Sequence, residues 1–438
     1  MAKHEHEFRD PIHAFVTVRG DERRVIDSRP FQRLRHIHQL ALTYLVYPGA
    51  THKRFEHSLG VMELASRIFD RVTKPDNIKH DEVRQIIPDQ DGLRYWRSVL
   101  RVAALCHDIG HLPFSHAAEE ELLPEGYDHE RLTANLILES ELADLWPELT
   151  PPLTPEHIVK VAVGPKKARD LQFTSWEILL AEMITGDSFG SDRMDYLLRD
   201  AYHAGVAYGR YDHFRLIQCL ALLPRADKDS DEPALGLLSG GVEASEGLMV
   251  AMHFMFKQVY FHSVRRAYDL HLKEFLKLWA KAGQLPITCS GHLALSDVEV
   301  LTEIRRAARN RKYKAHKPAK RIESREHFKL LYAALPSDKA GGVLNPGATI
   351  AKYATEKFNQ DKICHDFVPA KISAPDFPVR AHDGSIHSSL RGSEILSQMP
   401  VLEVDSVYCD DSIRIEAEKW RDANKSKLLN LEKAEVAV

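Results

Sequence analysis

Four groups that can bind metals or carry protons lie in one short, otherwise apolar stretch, ALCHDIGHLPFSH at residues 104–116. They are His107, Asp108, His111 and His116. Adjacent residues on a helix point about 100° apart, so His107 and Asp108 can flank one point near a helix end. An imidazole nitrogen beside a carboxylate oxygen suits a divalent metal. An isolated pair of this kind is more often a core histidine next to a capping carboxylate, but the histidines that follow favour chemistry.

Candidates for the remaining ligands lie far away in the sequence. His57 stands in RFEHS, at the predicted start of a helix, and Asp192 stands in GDSFGSDRMDY, near the start of another. His129 and Glu130 follow the central motif and add further titratable groups. A metal site built from these residues requires a fold that brings at least three helices together.

The elements that must position these residues are mostly helical. Alternation around Phe15 predicts a short strand, and Ser28 is a candidate N-cap for a helix with apolar residues up to Leu40. Gly110 and Pro113 break the helix of the central motif, and Ser115 is a candidate cap for the next one. Further helices are predicted at 129–145, 155–163, 175–185, 191–202 and 243–282.

The chain divides by composition into a helical core and a smaller lobe. We predict a mainly α fold with a core at 1–285, an α+β C-terminal lobe at 286–425 and a flexible tail at 426–438. The lobe is expected to contain strands because residues 364–409 are rich in Pro, Gly and β-branched side chains.

Bulk properties exclude several protein classes. The 438 residues carry a net charge of −4, which gives no general argument for binding nucleic acid or anionic membranes. Five cysteines without a CxxC pair and the lack of an apolar run of roughly 20 residues predict a cytoplasmic protein with no membrane segment. The basic run at 305–321 has few aromatic residues, so we interpret it as a solvated linker; binding of effector phosphates or nucleic acid is the alternative.

Several motifs together resemble those of HD-domain phosphohydrolases. They are RFEHSLGVMELA, CHDIGHLPFSH, YDHE and SDRMDYLLRDAYHAG. More narrowly, they are similar to the deoxynucleoside triphosphate triphosphohydrolase branch, which includes dGTPase-like enzymes and enzymes that pair a SAM domain with an HD domain. The likeness covers about residues 8–275 and implies an HD-domain helical core.

The resemblance implies a divalent metal ion (Mg, Mn, Fe, Co, Ni or Zn) held by His57, His107, Asp108 and Asp192. It also implies that His116, supported by Glu119, and His129 lie beside the reacting phosphate, with His111 contacting a phosphate. Substrate-binding positions would be Arg54 and Arg193 for phosphates, Tyr196 and Asp200 for the sugar, and Gln39, Leu40 and Tyr268 for sugar and base. The alternative for the two tyrosines is half-buried packing, and for the two arginines a solvated charge.

A nucleotide effector is a further expectation from the resemblance. Asp27, Gln32 and Arg35 match positions that read an activating nucleotide in the vertebrate enzyme of this branch. The alternative for these three residues is ordinary helix capping and a solvated helix face. The resemblance also implies assembly into homo-oligomers, either dimers or tetramers.

The predicted function is metal-dependent hydrolysis of deoxynucleoside triphosphates (dNTPs) to deoxynucleoside and inorganic triphosphate. One alternative is a nucleotidase or phosphodiesterase on the same scaffold. Another is a regulator that binds nucleotides or nucleic acid and keeps a vestigial metal site. Analysis of the products distinguishes the triphosphohydrolase, which releases triphosphate, from a nucleotidase or phosphodiesterase. Substitution of a metal ligand distinguishes an enzyme, which would lose turnover, from a regulator.

Overall fold

The structure, a computed structural model, describes residues 5–115, 119–225, 232–339, 343, 345–369 and 375–436. The chain folds into two compact units, each built from segments that are distant in sequence. The first unit comprises Met1–Met255, Gln284–Val300 and Ala374–Met399, and the second comprises Phe256–Gly283, Leu301–Ser373 and Pro400–Val438. This division differs from the expected one, in which a single boundary at residue 285 separated the core from the lobe.

The first unit is mainly helical. Its strands are β1 (His6–Asp10), β2 (Ala14–Val18), β3 (Leu220–Leu223), β4 (Ala234–Leu238), β7 (Pro378–Arg380) and β8 (Ile386–Ser388). Its helices are α1 (Gly20–Asp27), α2 (Arg29–Arg33), α3 (Arg54–Val72), α4 (Asp81–Ile86), α5 (Gln90–Cys106), α6 (Glu119–Leu122), α7 (His129–Glu139), α8 (Leu142–Leu145), α9 (Pro155–Val163), α10 (Ser175–Thr185), α11 (Ser191–Ala204), α12 (His213–Cys219), α13 (Val242–Met255), α15 (Cys289–Leu293), α20 (Ser389–Gly392) and α21 (Glu394–Ser397).

Helix α3 is the centre of the first unit and packs against α5 and α11. Most of its side chains are buried, which explains why its sequence is apolar on more than one face. Gly60 allows α11 to approach closely, because a Cβ atom there would lie 2.0 Å from Oδ1 of Asp195. The first unit also contains a four-stranded sheet in the order β3-β4-β7-β8, in which β4 and β7 run parallel.

The predicted helix after Ser28 is shorter than expected. Helix α2 ends at Arg33, a 3₁₀ turn follows at Leu34–His36, and the chain is extended at Ile37. The backbone N–H of His38 then donates to Asp297 instead of to a helical carbonyl, at 2.7 Å. Ser28 occupies the N-cap position, but its hydroxyl donates to the carbonyl of Val25.

The second unit is an α+β structure. Its strands β5 (Lys329–Ala333), β6 (Ile363–Val368) and β9 (Val404–Cys409) form an antiparallel sheet in the order β5-β9-β6. Its helices are α14 (Ser263–Trp279), α17 (His316–Glu323), α18 (Pro336–Lys339), α19 (Pro346–Phe358) and α22 (Arg414–Val436), and α16 (Asp297–Arg309) begins in the first unit and continues into the second. The predicted fold class, mainly α with a smaller α+β lobe, is confirmed.

Three further local expectations differ from the structure. The helix expected at 243–282 is divided, because a π-helical turn at Phe256–Tyr260 separates α13 from α14. The basic run at 305–321 belongs largely to α16 and α17 rather than to a linker. The expected flexible tail instead continues α22 to Val436, and Leu428 and Leu429 are buried against the second unit's core.

None of the helices in the described ranges is both long enough and apolar enough to cross a bilayer. All five cysteines are free thiols. A cytoplasmic location stays a prediction.

Candidate metal centre and active site

Three side chains of the first unit, His57, His107 and Asp108, offer ligand atoms that all lie within 4.8 Å of one another, and Asp192 lies beside the two histidines. His57 lies in the first turns of α3, His107 and Asp108 follow the end of α5, and Asp192 lies in the first turn of α11. Nε2 of His57 lies 3.0 Å from Oδ1 of Asp192 and 3.6 Å from Oδ2 of Asp108. Nε2 of His107 lies 3.5 Å from Asp108 and 3.7 Å from Asp192. Ligands bonded to one ion at about 2.0–2.2 Å are separated by similar distances, about 3 to 3.5 Å.

Hydrogen bonds fix which nitrogen each histidine presents. Nδ1 of His107 donates to the carbonyl of Ala104 at 2.7 Å, so Nε2 carries the lone pair. This Nε2 atom is buried and has no hydrogen-bond partner among the described residues. Nδ1 of His57 donates to Oδ2 of Asp195 at 2.8 Å, so the Nε2 atom of His57 also faces the cluster. Two imidazole nitrogens and two carboxylates directed at one point fit a divalent transition metal.

Asp195 is a supporting residue that we did not identify from the sequence. It lies one helical turn after Asp192, and this Asp-x-x-Asp spacing on a predicted helix was the available signal. Besides His57, its carboxylate accepts from Nε2 of His13 at 2.7 Å and from the guanidinium of Arg199 at 2.8 Å. Arg199 in turn pairs with Asp10, also at 2.8 Å. A ligand histidine held by a carboxylate in this way has a fixed orientation and greater basicity.

The two carboxylates of the cluster are stabilised in their ionised form. Burial lowers the pKa of His57, but hydrogen bonds to Asp192 and Asp195 outweigh burial and raise it to about 10. Burial also disfavours the charged form of Asp108, yet Arg54, His107 and His111 hold the pKa of Asp108 well below its usual range. The imidazoles of His107 and His57 likewise outweigh burial and lower the pKa of Asp192. The carboxylates therefore stay ionised at neutral pH and favour a cation between them.

Arg54 is the first residue of α3 and contacts Asp108 directly. Its guanidinium also donates to the Ser115 hydroxyl at 2.7 and 2.9 Å. We expected Arg54 to contact phosphate and Ser115 to cap the next helix; in the structure both surround a metal-ligand candidate. Phe114 and Ser115 have positive φ values of 58° and 59°, and Asp297 accepts the Phe114 N–H at 2.7 Å. The strained segment is thus held by hydrogen bonds at both residues.

A second group of residues lies beside His111. The rings of His111 and His129 stack at 4.0 Å, and Nε2 of His111 lies 3.1 Å from Oδ1 of Asp108. Glu119 accepts the Nδ1–H of His129 at 2.8 Å. Glu119 was also expected to support His116, which lies outside the described residues, so that expectation stays a prediction. Burial, Arg54 and His129 together hold the pKa of His111 well below its usual range, so its ring is neutral.

The expected substrate-binding residues fall into three groups. Arg193 and Tyr196 are half-buried on α11, and Asp200 on the same helix is buried and accepts from Nε2 of His52 at 2.7 Å. Gln39 and Leu40 follow the 3₁₀ turn after α2; Leu40 is buried, and the buried Oε1 atom of Gln39 has no hydrogen-bond partner among the described residues. Tyr268 lies in the second unit on α14, where it is buried and packs against His327.

The expected effector-binding residues interact mainly with their own neighbourhood. Asp27 accepts from Arg23 at 2.7 Å on the exposed surface of α1. Gln32 donates to the carbonyl of Ile26 and accepts from Arg35, whose guanidinium lies over the ring of Phe55 at 3.5 Å. These contacts match the alternative of a capped and solvated helix face, and effector binding stays a prediction.

Two family models match the chain. Residues 54–163 match the HD domain, which includes His57, His107 and Asp108, and residues 211–354 match the HD-associated region. A solved structure of a hypothetical protein from Aquifex aeolicus is 32% identical and covers 95% of this chain and 99% of its own, with a TM-score of 0.77. A phosphohydrolase from Bacteroides thetaiotaomicron shares the fold, with a TM-score of 0.69 at 21% identity over 93% of this chain and 100% of its own.

Curated relatives match a smaller part of the chain. The protein MJ1154 of Methanocaldococcus jannaschii is 36% identical over 60% of this chain and 48% of its own length. The deoxynucleoside triphosphate triphosphohydrolase SAMHD1 of Mus musculus is 33% identical over 48% of this chain and 33% of its own length. The chain thus spans about half the length of the first relative and a third of the second. Taken with the two family models and the Aquifex structure, these matches show that the chain belongs to the HD-domain family.

Proposed function

We propose that this protein is a metal-dependent phosphohydrolase that cleaves deoxynucleoside triphosphates into deoxynucleoside and inorganic triphosphate. One observation carries the proposal of hydrolysis: the Nε2 atoms of His57 and His107 meet the carboxylates of Asp108 and Asp192 within 3.0–3.7 Å. The proposal of a deoxynucleoside triphosphate substrate is supported by the motif resemblance and by the matching dNTP triphosphohydrolase of the mouse.

A divalent ion bound by these four residues would polarise a phosphoryl oxygen or lower the pKa of a water molecule. The protein supplies the orientation of the ligands, because Asp195 and the carbonyl of Ala104 fix the two imidazoles. Arg54 offsets part of the negative charge of Asp108 and so lowers the repulsion that a polyanionic substrate meets.

His129 is suited to donate a proton to a leaving oxygen. Its Nδ1–H is held by Glu119, so the proton available for transfer is the one on Nε2. Burial lowers the pKa of His129, but the hydrogen bond and charge of Glu119 outweigh burial and raise it. His129 is therefore protonated over a wider pH range than a free histidine, whereas its stacked neighbour His111 stays neutral. The sequence motif adds His116 as a second proton carrier in this proposal.

The test is an assay of the purified protein with each dNTP and NTP in the presence of Mg, Mn or Co. Released triphosphate, pyrophosphate and phosphate are separated by anion-exchange chromatography. We expect deoxynucleoside and triphosphate in equal amounts, and no product with the Asp108→Ala variant. Nucleoside monophosphates as products would replace the proposal by a nucleotidase or phosphodiesterase, and metal-dependent binding without any product would favour a regulator.

A further inference from the structure

A cavity of about 750 Å³ lies in the first unit at the C-terminal end of α3, away from the metal centre. We name it the basic pocket, because six of its lining residues are basic: Arg71, Lys79, His80, Arg215, Arg380 and His382. Residue 71 follows residue 57 by fourteen positions on the same helix, which corresponds to about 21 Å. The basic pocket and the metal centre are therefore separate sites.

The basic residues come from four different segments of the first unit. Arg71 lies in the last turn of α3, Lys79 and His80 precede α4, Arg215 lies on α12, and Arg380 ends β7. Such convergence depends on the tertiary fold, since the lining residues extend from Arg71 to Arg380 along the chain. A single basic run on a solvated helix would not produce it.

Acidic groups do not neutralise this charge. Among the described residues, none that lines the basic pocket is an aspartate or a glutamate. Within the described residues, no carboxylate forms an ion pair with any of four lining cations, Arg71, Lys79, Arg215 and Arg380. Three nearby acids have other partners: Asp212 caps α12, Asp81 pairs with Arg84, and Asp383 accepts from Ser385. Glu82 and Glu243 lie near His80 and Cys219 of the pocket but form no ion pair with its lining among the described residues. Clustered cations repel one another, so a bound anion would stabilise the arrangement.

The lining offers nitrogen atoms that no described protein group satisfies, and it holds one guanidinium in place. Nε of Arg71 and Nε2 of His80 are buried and lack a hydrogen-bond partner among the described residues. The guanidinium of Arg215 donates twice to the carbonyl of Gly240, at 2.8 and 3.1 Å. A Cβ atom at Gly240 would lie 2.8 Å from Nη2 of Arg215, so glycine makes room for this guanidinium. Burial and the charge of Arg380 also lower the pKa of His80, as expected in a positive field.

We propose that the basic pocket binds a polyphosphate anion, either inorganic triphosphate or the phosphate chain of a nucleoside triphosphate. Arginine guanidinium groups bind phosphate oxygens with paired N–H donors, and lysine adds a point charge. The volume lies within the range of about 300–1,000 Å³ that is common for small-molecule sites. The inference does not depend on the proposed function, because it concerns binding rather than turnover.

The test is calorimetric titration of the full-length protein with inorganic triphosphate in EDTA. The test variant is Arg71→Gln/Arg380→Gln, and the control is Arg94→Gln/Arg169→Gln, which removes the same charge from exposed residues of the first unit. We expect at least tenfold weaker binding in the test variant and less than a twofold change in the control. Equal binding by the two double variants, or no binding by the wild type at millimolar ligand, would overturn the proposal.

A second measurement does not require a stable variant. Triphosphate should protect Lys79 from acetylation, as measured by mass spectrometry, and should leave the exposed Lys74 reactive. Equal reactivity of Lys79 with and without ligand contradicts the proposal. Repeating both experiments with dNTPs distinguishes inorganic triphosphate from a nucleoside triphosphate as the ligand. Tighter binding of one dNTP would show that the pocket also recognises a base. The inactive Asp192→Asn variant should bind triphosphate in the basic pocket as the wild type does, so a failure of the proposed hydrolysis would leave this result unchanged.

Discussion

The two ends of helix α3 lie in opposite electrostatic environments within the first unit. At the N-terminal end, His57 and Arg54 are buried and each contacts a carboxylate. At the C-terminal end, Arg71 lines a pocket of cations without a carboxylate partner in the described structure. The first arrangement keeps two ionised carboxylates beside two imidazoles, which suits a metal cation, and the second leaves a positive cavity suited to an anion.

The comparison also separates effects on stability from effects on binding. Removing one partner of a buried ion pair costs about 3–5 kcal/mol, because the other charge stays buried without compensation. Exposed charges contribute only about 0–1 kcal/mol. Variants of the network around Asp195 should therefore affect folding and metal binding together. Variants of the cations in the basic pocket, which form no ion pair with a carboxylate in the described structure, should affect mainly anion binding.

The largest effect is expected for a metal ligand. Asp192→Asn removes one anionic ligand, and because a metal ion contributes several kcal/mol to catalysis, turnover should fall by about 10³-fold or more. Metal content, measured by mass spectrometry of the purified protein, should fall in parallel. Asp170→Asn is the matched control, since Asp170 is exposed and pairs only loosely with Arg131. Normal turnover in Asp192→Asn would show that Asp192 is not a metal ligand.

A smaller effect is expected for the residue that orients His57. Asp195→Asn should weaken metal binding by about 10–100-fold, because the amide no longer holds Nδ1 of His57 with a full charge. Metal affinity is measured by competition with a chelator dye, and the midpoint of thermal unfolding is recorded for the metal-free protein. His13→Gln is the control, since His13 contacts Asp195 but not the metal-ligand candidates. Equal metal affinities in the two variants would show that Asp195 acts only on stability.

The pH dependence of turnover tests the role of His129. The raised pKa of His129 means that its protonated form is present at low pH and is lost as the pH rises through that pKa. Glu119→Gln removes the charge that raises it, so the alkaline limb of the pH profile should move to lower pH. Glu125→Gln, an exposed substitution nearby, should leave the profile unchanged. A shift to higher pH, or none, would contradict proton donation by His129.

The smallest effect is expected at Gly240 in the basic pocket. Gly240→Ala places a Cβ atom against Arg215 and should weaken triphosphate binding by roughly two- to fivefold, the range of a displaced surface charge. Gly247→Ala is the control, because a Cβ atom there meets only Tyr211 at 3.9 Å. Metal binding should be unchanged in both variants, which would confirm that the two ends of α3 function separately.

Much of the candidate metal centre could be predicted from residue types and motif order. His57, His107, Asp108 and Asp192 were identified as ligands by resemblance, and the structure brings them together. Two other helices of the first unit were predictable as well, because α9 and α10 have the bounds that the apolar periodicity indicated. Local periodicity is a short-range property, so the sequence contains it without any knowledge of the fold.

The partners of those residues depended on contacts over long sequence separations. Asp195 could be placed one turn from Asp192, but only the packing of α11 against α3 assigned it to His57. The helix after Ser28 ended early because Asp297, more than 250 residues away, accepts the N–H of His38. Similarly, the contact between Glu119 and His129 joins residues ten positions apart, and only the structure showed it.

The amino-acid sequence by itself determined the helical core, the ligand types and the family, because these follow from periodicity and from motifs within short segments. Tertiary structure alone decided the support of His57 by Asp195, the division into two interleaved units and the existence of the basic pocket. The physical reason is that each of these features depends on distances between side chains from separate segments, and such distances are established only when the core packs.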